Sequence, residues 1–162
     1  MAGTASASIQ REYRDSVLAW LHLVRVHSRI VREEQALLSR FGLTPAQFDV
    51  LSHLATSPGL SQTELAERLI VTKGNVGGLV DRLERDGLVE RRAKPGDRRS
   101  NQLYLTDAGC RAFATAAPEL EAHLAAQFEG LGAKDLCELR RLLAQLDREL
   151  RRKEQYEASV EV

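Results

Sequence analysis

The sequence has little of what secreted, membrane-spanning or disulfide-stabilised proteins contain. Its 162 residues include two cysteines, Cys110 and Cys137, which are too few for a disulfide framework. No apolar run approaches the roughly 20 residues that span a bilayer, and the first residues lack the apolar core of a secretory signal. These absences predict one cytoplasmic domain with no membrane segment, in which both cysteines pack as small apolar residues.

Signatures of catalysis, cofactor binding and metal binding are also missing. No phosphate-binding loop, dinucleotide fingerprint or nucleophile elbow occurs, and the four histidines show no metal-binding spacing. We therefore expect no catalytic residue, no cofactor and no metal. Lysine plus arginine and aspartate plus glutamate both number 23, so the formal net charge is zero. Bulk charge thus gives no attraction for nucleic acid, and only a local basic patch could supply it.

What the sequence does contain is a pair of short helical patterns at residues 61–87. Ser61 and Glu64 have the spacing of a reciprocal capping box at the start of the first helix. The second helix has Thr72 as its predicted N-cap and Gly87 at its C-terminal stop. Its apolar residues have the i, i+3, i+4, i+7 spacing of an amphipathic helix: Val76, Leu79, Val80 and Leu83. Two short helices joined by a tight turn are typical of a helix-turn-helix.

The face opposite this apolar stripe is rich in glycine, with Gly74, Gly77 and Gly78 within five residues. A glycine inside a helix costs about 1 kcal/mol relative to alanine, so three of them need a reason. One reason is close approach of the backbone to a large partner, such as the floor of a DNA groove. The alternative is tight packing within the chain, or a frayed helix start.

Residues 88–106 resemble a basic hairpin. Strand-like segments at 89–94 and 101–105 flank the turn residues 95–97, Pro-Gly-Asp. A basic hairpin directly after a helix-turn-helix is typical of a wing, with the second helix in the major groove and a tip arginine in the minor groove. A solvated charged surface is the alternative reading. The basic residues of the hairpin are Arg91, Arg92, Lys94, Arg98 and Arg99.

Two helices are predicted before the helix-turn-helix. After seven residues expected to be disordered, a long helix reaches about Arg40 and is closed by Gly42. It has two apolar stripes, suited to its own subunit and to a partner, although a wide core face in a monomer is the alternative. The stripes are Val17, Leu21, Val24, Val31 and Leu38, and Trp20, Leu23, Ile30 and Leu37. The next helix is predicted to have Thr44 as its N-cap, with Gln47 completing a capping box. Its predicted inner face consists of Phe48, Leu51 and Ala55.

Two further helices are predicted after the hairpin. The first runs from Thr106 to about Glu129, with a kink or break expected near Pro118. The last runs from about Ala133 to about Lys153 and has a coiled-coil-like leucine seam that suits a contact between subunits. The seam consists of Leu136, Leu139, Leu143, Leu146 and Leu150.

Four segments of the chain resemble the MarR family of bacterial transcription regulators: LTPAQFDVLSHLA, SQTELAERL, VTKGNVGGLVDRLERDGLVERR and DRRSNQLYLTDAG. The resemblance is close from Leu43 to Gly109 and holds only in pattern in the helical flanks. Its most specific element is the combination of Asp97, Arg99, Leu105 and Thr106 after a helix-turn-helix. The resemblance implies a homodimer of winged helix-turn-helix subunits on a pseudo-palindromic operator, released by a small-molecule or oxidant signal.

The motifs and the resemblance together assign DNA-binding roles. The start of the first short helix would present backbone N–H groups to a phosphate, at Ser61, Gln62 and Thr63. The second helix would face base edges, with Asn75 the best candidate for an adenine, through Thr72, Lys73, Gly74, Asn75, Gly77 and Gly78. Phosphates would be held by Arg82, Arg91, Arg92 and Lys94. The minor groove would receive Arg98 or Arg99, with Asp97 orienting the adjacent arginine.

The resemblance also implies an effector cavity where the first two helices meet the DNA-binding lobe. We expect a small aromatic or anionic effector there, contacted by Trp20, His22, His27, Asp49 and His53. Trp20, Asp49 and Arg82 are similar to a pattern in the urate-responsive branch, although each also has an ordinary structural reading. The reactive cysteine that the family's hydroperoxide sensors have early in the first helix is missing, so oxidation is not the expected signal.

The expected fold is therefore mainly α with a small β-hairpin wing, in a single MarR-type domain. Residues 1–42 and 107–162 would form the dimerisation region and residues 43–106 the DNA-binding lobe, with the helix-turn-helix at 61–87 and the wing at 88–106. The expected function is that of a ligand-responsive repressor. The alternative is a winged helix that binds proteins without DNA, and an enzyme is a distant third.

Overall fold

The computed structural model describes residues 2–69, 73–94 and 97–160, with side chains at 13–69, 76–93 and 101–157. It is mainly helical with one small antiparallel sheet, as predicted. The elements in chain order are α1 (Ala2–Ser39), α2 (Pro45–Thr56), β1 (Leu60–Ser61), α3 (Gln62–Arg68), α4 (Lys73–Arg85), β2 (Val89–Lys94), β3 (Asp97–Leu105), α5 (Asp107–Gln127) and α6 (Ala133–Val160). The chain divides into two compact units, Met1–His123 and Leu124–Val162.

The starts of α2 and α3 have the two predicted capping boxes. The Gln47 N–H donates to Thr44 Oγ1 at 3.2 Å, and the Thr44 N–H donates to Gln47 Oε1 at 2.9 Å. In the same way the Glu64 N–H donates to Ser61 Oγ at 3.2 Å, and the Ser61 N–H donates to Glu64 Oε2 at 2.7 Å. These bonds satisfy N–H groups that have no partner inside the helix, and so they fix where each helix begins.

The ends of α1 and α4 both use a glycine in the left-handed conformation. Gly42 and Gly87 each have a φ of 70°, which other residues rarely adopt. The residue after each glycine donates its N–H five residues back, the bond of a Schellman motif. These bonds are 3.1 Å from Leu43 N to Leu38 O and 2.9 Å from Leu88 N to Leu83 O. The two predicted stops are confirmed.

The core of the first unit lies where α4 contacts α2, α3 and β2. The stripe predicted on α4 is buried, with no more than 5% of any member exposed: Val76, Leu79, Val80 and Leu83. On α2 the buried side chains are Val50, Leu51 and Leu54, whereas Ala55 is exposed, contrary to prediction. Phe48 is half-buried because its ring meets Phe113 of α5, with 5.5 Å between centroids. The inner face of α2 is thus rotated relative to the predicted one.

The sheet contains a strand that the sequence did not predict. β1 pairs antiparallel with β3 (Leu60 with Leu103, Ser61 with Gln102), and the strand order is β1-β3-β2. Two residues are too few to show the alternation that marks a strand. β3 is also longer than predicted, since it begins at Asp97, and the pairing with β2 is shifted between Ala93 and Lys94. The rest of the predicted turn, residues 95 and 96, lies outside the described residues.

Two helix bounds and one expected helix break differ from prediction. α1 begins at Ala2, so the expected disorder of the first residues is wrong from there on, because extending an existing helix is easy and no proline stops it. α5 passes through Pro118 without a break, since only one backbone bond is lost and Ala116 and Leu120 are buried on either side. α6 continues past Lys153 to Val160. Across the described ranges, no helix is both long and apolar enough for a membrane span.

Candidate nucleic-acid interface

The predicted phosphate site at the start of α3 is only partly available. Ser61 and Glu64 exchange hydrogen bonds within the capping box, so the Ser61 hydroxyl is already engaged. Gln62 is half-buried and Thr63 is exposed. The Glu64 carboxylate lies beside the first N–H groups and opposes the approach of an anion. Gln62 and Thr63 are therefore the better placed of the three predicted residues.

The first turn of α4 contains three of the predicted base-contacting residues. The backbone of Lys73, Gly74 and Asn75 is helical, whereas their side chains and Thr72 lie outside the described part. The predicted N-cap at Thr72 therefore stays a prediction. Because α4 begins at Lys73, these residues form the end of the helix that a recognition helix directs at base edges.

The next two glycines of α4 have different surroundings. A Cβ built on Gly77 would lie 3.1 Å from Nε2 of Gln62, so α3 passes close to α4 there. A Cβ built on Gly78 would meet nothing within 4 Å, and Gly78 is exposed. Packing within the chain thus restricts Gly77 only through the flexible end of one side chain, and it does not restrict Gly78. Gly78 leaves open space on the outer side of α4.

Two arginines of the lobe are exposed, one on α4 beside this glycine and one on β2. The Arg82 Nε donates to the Gly78 carbonyl at 3.1 Å, so its guanidinium turns back along the same side of α4. On β2, the Arg92 Nε donates to Glu90 Oε1 at 2.9 Å, and its guanidinium carbon lies 4.5 Å from the centre of the Tyr104 ring. Stacking on a ring restrains a guanidinium while leaving its edge accessible. Both arginines are exposed.

Arg91 points to the other face of β2, where it meets α4. One guanidinium nitrogen lies 2.5 Å from Asp81 Oδ1, and another contacts Glu84 Oε2. Burial lowers the pKa of Arg91, but hydrogen bonds to Asp81 and Glu84 outweigh burial and raise it above its ordinary value. Arg91 is thus a fully charged group engaged within the chain. We call Asp81, Glu84 and Arg91 the wing clamp.

The tip of the hairpin is described only as backbone. Lys94 ends β2 and Asp97 begins β3, and Arg98 and Arg99 follow within β3. Their side chains lie outside the described residues. The predicted roles of Lys94 at a phosphate, of Asp97 as an orienting group and of a tip arginine in the minor groove therefore stay predictions.

A junction that the sequence reasoning did not single out connects the hairpin to α5. The Thr106 hydroxyl donates to the Gly87 carbonyl at 2.6 Å and accepts from the Gly109 N–H at 3.0 Å. A Cβ on Gly109 would lie 2.0 Å from the Leu88 carbonyl oxygen. The run Leu-Thr-Asp-Ala-Gly thus holds the end of α4, the start of β2 and the start of α5 together. This run belongs to one of the segments that resemble the MarR family, and that resemblance was the only sign in the sequence that it mattered.

Candidate effector residues converge on a carboxyl group of α1 that was not predicted. Burial first, and then the charge of Asp49, raise the pKa of Glu34, while His27 and His123 act in the opposite direction. Beside it, His123 Nε2 lies 3.7 Å from Glu33 Oε2. His27 and Asp49 thus both act on the charge of Glu34. Glu33, Glu34 and His123 escaped prediction because they come from distant parts of the chain.

The other candidate effector residues are less closely grouped. Trp20 and His22 are exposed, and His53 is half-buried. Trp20 precedes His27 by two helical turns, or roughly 10 Å. Among the described side chains, no hydrogen bond or ion pair links Trp20, Asp49 and Arg82. The trio similar to the urate-responsive branch therefore has no direct connection in this structure.

The two cysteines and the possible metal ligands were also compared with prediction. Cys110 and Cys137 are both exposed, so the prediction that they pack inside is wrong. Apolar spacing along a helix did not distinguish these exposed positions from buried ones. Within the described residues, no group of three or more His, Cys, Asp and Glu side chains could hold a metal ion.

These elements define a winged helix-turn-helix protein, a class that reads DNA with its second short helix. A model of the MarR family matches residues 41–100. The chain is 38% identical to an HTH-type transcriptional regulator of Bacillus cereus over 102 residues, which cover 63% of this chain and 67% of that protein. It is also similar to the transcriptional repressor CouR bound to a 23-mer DNA duplex, at 37% identity and a TM-score of 0.72, over 78% of this chain and 89% of CouR.

A third similar structure is that of BpsR from Bordetella bronchiseptica, whose DNA binding is regulated by 6-hydroxynicotinic acid. The identity is 25% and the TM-score 0.74, over 80% of this chain and 98% of BpsR. The chain belongs to the MarR family. It is a transcriptional regulator with a DNA-binding helix-turn-helix.

Proposed function

We propose that the protein is a homodimeric repressor that binds a pseudo-palindromic operator and leaves it when a small effector binds. The observation that carries this proposal is the open surface at Gly78, which lies beside the exposed guanidinium of Arg82. An exposed glycine inside a helix is unfavourable for the free chain. It is useful when a large partner must approach the backbone, as the floor of a major groove does.

The proposed DNA contacts follow from where the residues lie. The first two turns of α4 would read base edges, through Lys73, Gly74, Asn75 and Gly78. Arg82, Arg92 and Lys94 would hold phosphates, and Gln62 and Thr63 would present N–H groups to another. Arg98 or Arg99 would enter the minor groove. CouR, at 37% identity, was solved on a DNA duplex, which supports DNA rather than protein as the partner of this lobe.

The proposed homodimer rests on apolar surface that a single chain leaves uncovered. α1 exposes Val17, Leu18, Trp20, Leu23, Val24 and Val26. In the second unit, α6 exposes Leu136, Leu142, Leu143, Leu146 and Leu150. Contiguous apolar surface of this kind marks an interaction site. A second copy would cover it and would place two α4 helices about 34 Å apart, on successive major grooves.

The proposed effector site lies between α1 and α2. Its candidate contacts are Trp20, His22, His27, Asp49 and His53. Glu34 and Asp49 repel an anion, so an anionic effector would need a hydrogen-bond donor from His27 or His53. BpsR supports this type of effector, since its regulator is an aromatic acid. Tenfold release of DNA requires that the effector favour the released state by about 1.4 kcal/mol.

The test begins with selection of duplexes from a random-sequence library by the full chain. We expect an inverted repeat whose half-sites are about one helical turn apart, bound with steep salt dependence by a species of twice the 18.0 kDa chain mass. Aromatic acids and phenols, 6-hydroxynicotinic acid and urate among them, are then tested for release of that duplex. Failure to bind any duplex would favour the protein-interaction module instead, and binding without sequence preference would contradict the proposed operator.

A further inference from the structure

The wing clamp joins two elements that must contact DNA together. Arg91 lies in the middle of β2, paired with the buried Leu103 of β3. Val89, two residues earlier, is buried and so marks the face of β2 that looks into the protein. Arg91 shares that face, which turns its guanidinium toward α4. Its side chain is only 21% exposed.

The partners of Arg91 sit on one side of α4. Asp81 and Glu84 are three residues apart, so their carboxylates lie side by side on the helix surface. A guanidinium held by two carboxylates is fixed in orientation as well as in distance, because its donors form a rigid planar fork. The connection from α4 to β2 is also short and passes through the turn at Gly87. The clamp therefore restrains how far β2 can rotate about that turn.

The charge of the wing clamp argues against a phosphate contact. Two carboxylates and one guanidinium have a net charge of −1, and they repel a phosphate rather than attract it. The carboxylates are more exposed than the arginine, with side-chain exposures of 59% for Asp81 and 42% for Glu84, against 21% for Arg91. An approaching phosphate would meet the acidic groups first.

We propose that the wing clamp fixes the angle between the wing and α4, so that Arg91 is a positioning residue for operator recognition and not a DNA contact. This inference rests on the proposed placement of α4 in a major groove and the hairpin tip in the minor groove. A wing at a variable angle still meets phosphates of any sequence. It does not hold the tip in one minor groove while α4 reads the bases beside it. The clamp therefore sets the ratio of operator binding to non-specific binding.

The decisive variant removes the carboxylates and leaves Arg91 intact. For the pair Asp81→Asn with Glu84→Gln, we expect about tenfold weaker binding to the selected operator. Binding to a shuffled duplex of equal composition should stay equal or strengthen, since negative charge is lost. If Arg91 instead held a phosphate, its release from the carboxylates would strengthen binding to both duplexes. The two readings thus predict opposite signs for the operator.

The matched control is the pair Glu67→Gln with Asp86→Asn. It removes the same charge from exposed side chains of the same lobe, which have no cationic partner among the described side chains. This control should retain the wild-type ratio of operator to non-specific affinity. If it lowers the ratio as much as the clamp pair does, bulk charge explains the effect and the inference is overturned.

A second variant separates geometry from charge. Arg91→Lys keeps the positive charge but loses the planar fork, so positioning predicts a loss of operator affinity close to that of Arg91→Ala. A phosphate contact predicts rescue by lysine. Loss of such a contact would also lower the slope of log affinity against log salt by about 0.9, whereas loss of positioning leaves the slope unchanged. Rescue by lysine together with a lower slope for Arg91→Ala would overturn the inference.

A measurement on the free protein tests whether the wing clamp restrains the wing when no DNA is present. Hydrogen exchange of the β2 and β3 amides should accelerate in the clamp pair, with α2 and α3 unchanged and circular dichroism as in the wild type. Wild-type exchange together with a wild-type affinity ratio would overturn the clamp. Operator selection by the unmodified chain reports separately on the proposed function, so the failure of one is distinguishable from the failure of the other.

Discussion

At the scale of single residues, Gly78 has no packing role in the described chain. We expect it to lower the stability of the fold while allowing DNA to approach the helix. Its Cβ position is open and its helix is regular. We expect Gly78→Ala to stabilise the fold by up to about 1 kcal/mol, because alanine is the better helix former. Operator affinity should fall at the same time. Urea unfolding and a gel shift measure the two effects, and a stabilised variant with wild-type affinity would exclude close approach of DNA at this turn.

Gly109 should respond in the opposite direction. A Cβ there would lie 2.0 Å from the Leu88 carbonyl oxygen, a backbone atom that cannot rotate away as a side chain can. α5 would have to move away from Leu88, so we expect Gly109→Ala to destabilise the fold by about 1–3 kcal/mol, the range of overpacking. Urea unfolding measures this, with Gly78→Ala as the matched control. No local pattern marks such a glycine, because Leu88 lies 21 residues earlier and meets it only in the fold.

Glu34 should make stability depend on pH. Its pKa is raised, first by burial and then by Asp49, so the folded state binds protons more tightly than the unfolded state. The free energy of unfolding contributed by this group therefore rises as pH falls through the folded pKa toward the ordinary carboxyl value. We expect Glu34→Gln to melt above the wild type at pH 8, and the difference to disappear in acid. The check is thermal unfolding at several pH values and one protein concentration. A difference in melting temperature between Glu34→Gln and the wild type that does not change with pH would contradict the raised pKa of Glu34.

At the scale of elements, local signals determined what could be predicted. The capping boxes of α2 and α3 and the stops at Gly42 and Gly87 were predictable because each depends on residues a few positions apart. β1 and the wing clamp were not, since β1 is formed by pairing with a distant strand and the clamp depends on the angle at which β2 folds back onto α4. The side of β2 on which each arginine lies depends on that pairing. The sequence therefore assigned Arg91 and Arg92 the same role, although they point to opposite faces.

The wing offers a direct comparison of two arginines with different expected roles. Arg99 follows Asp97 at the start of β3, and as a minor-groove contact its replacement by alanine should weaken operator binding by roughly 1–3 kcal/mol. Arg92 is exposed and stacked on Tyr104. As a phosphate contact, Arg92→Ala should weaken binding to operator and shuffled duplexes alike and reduce the salt slope by about 0.9. If Arg99→Ala lost equal affinity for both duplexes, Arg99 would not be the minor-groove contact.

At the scale of the whole molecule, the exposed apolar surface of α1 and α6 supports the proposed homodimer. Of the two stripes predicted on α1, Leu37 and Leu38 are buried and Leu21 and Ile30 are half-buried, whereas the other five members are exposed. A wide core face in a monomer, the alternative considered for these stripes, would have buried them. The leucine seam predicted on α6 lies within one continuous helix, and four of its five leucines are exposed in the single chain.

The dimer is testable at Leu146, whose side chain is 48% exposed in the single chain. Since Leu146 lies outside the described core, Leu146→Glu should keep the helical content while placing a charge in the proposed interface, where an unpaired charge is costly. We expect a monomer by sedimentation at micromolar concentration and loss of operator binding, because one lobe alone reads only one half-site. The control is Arg148→Glu, which adds a carboxylate two residues away on the same exposed helix. A wild-type monomer, or a Leu146→Glu dimer that still binds the operator, would show that α6 is not the dimer contact.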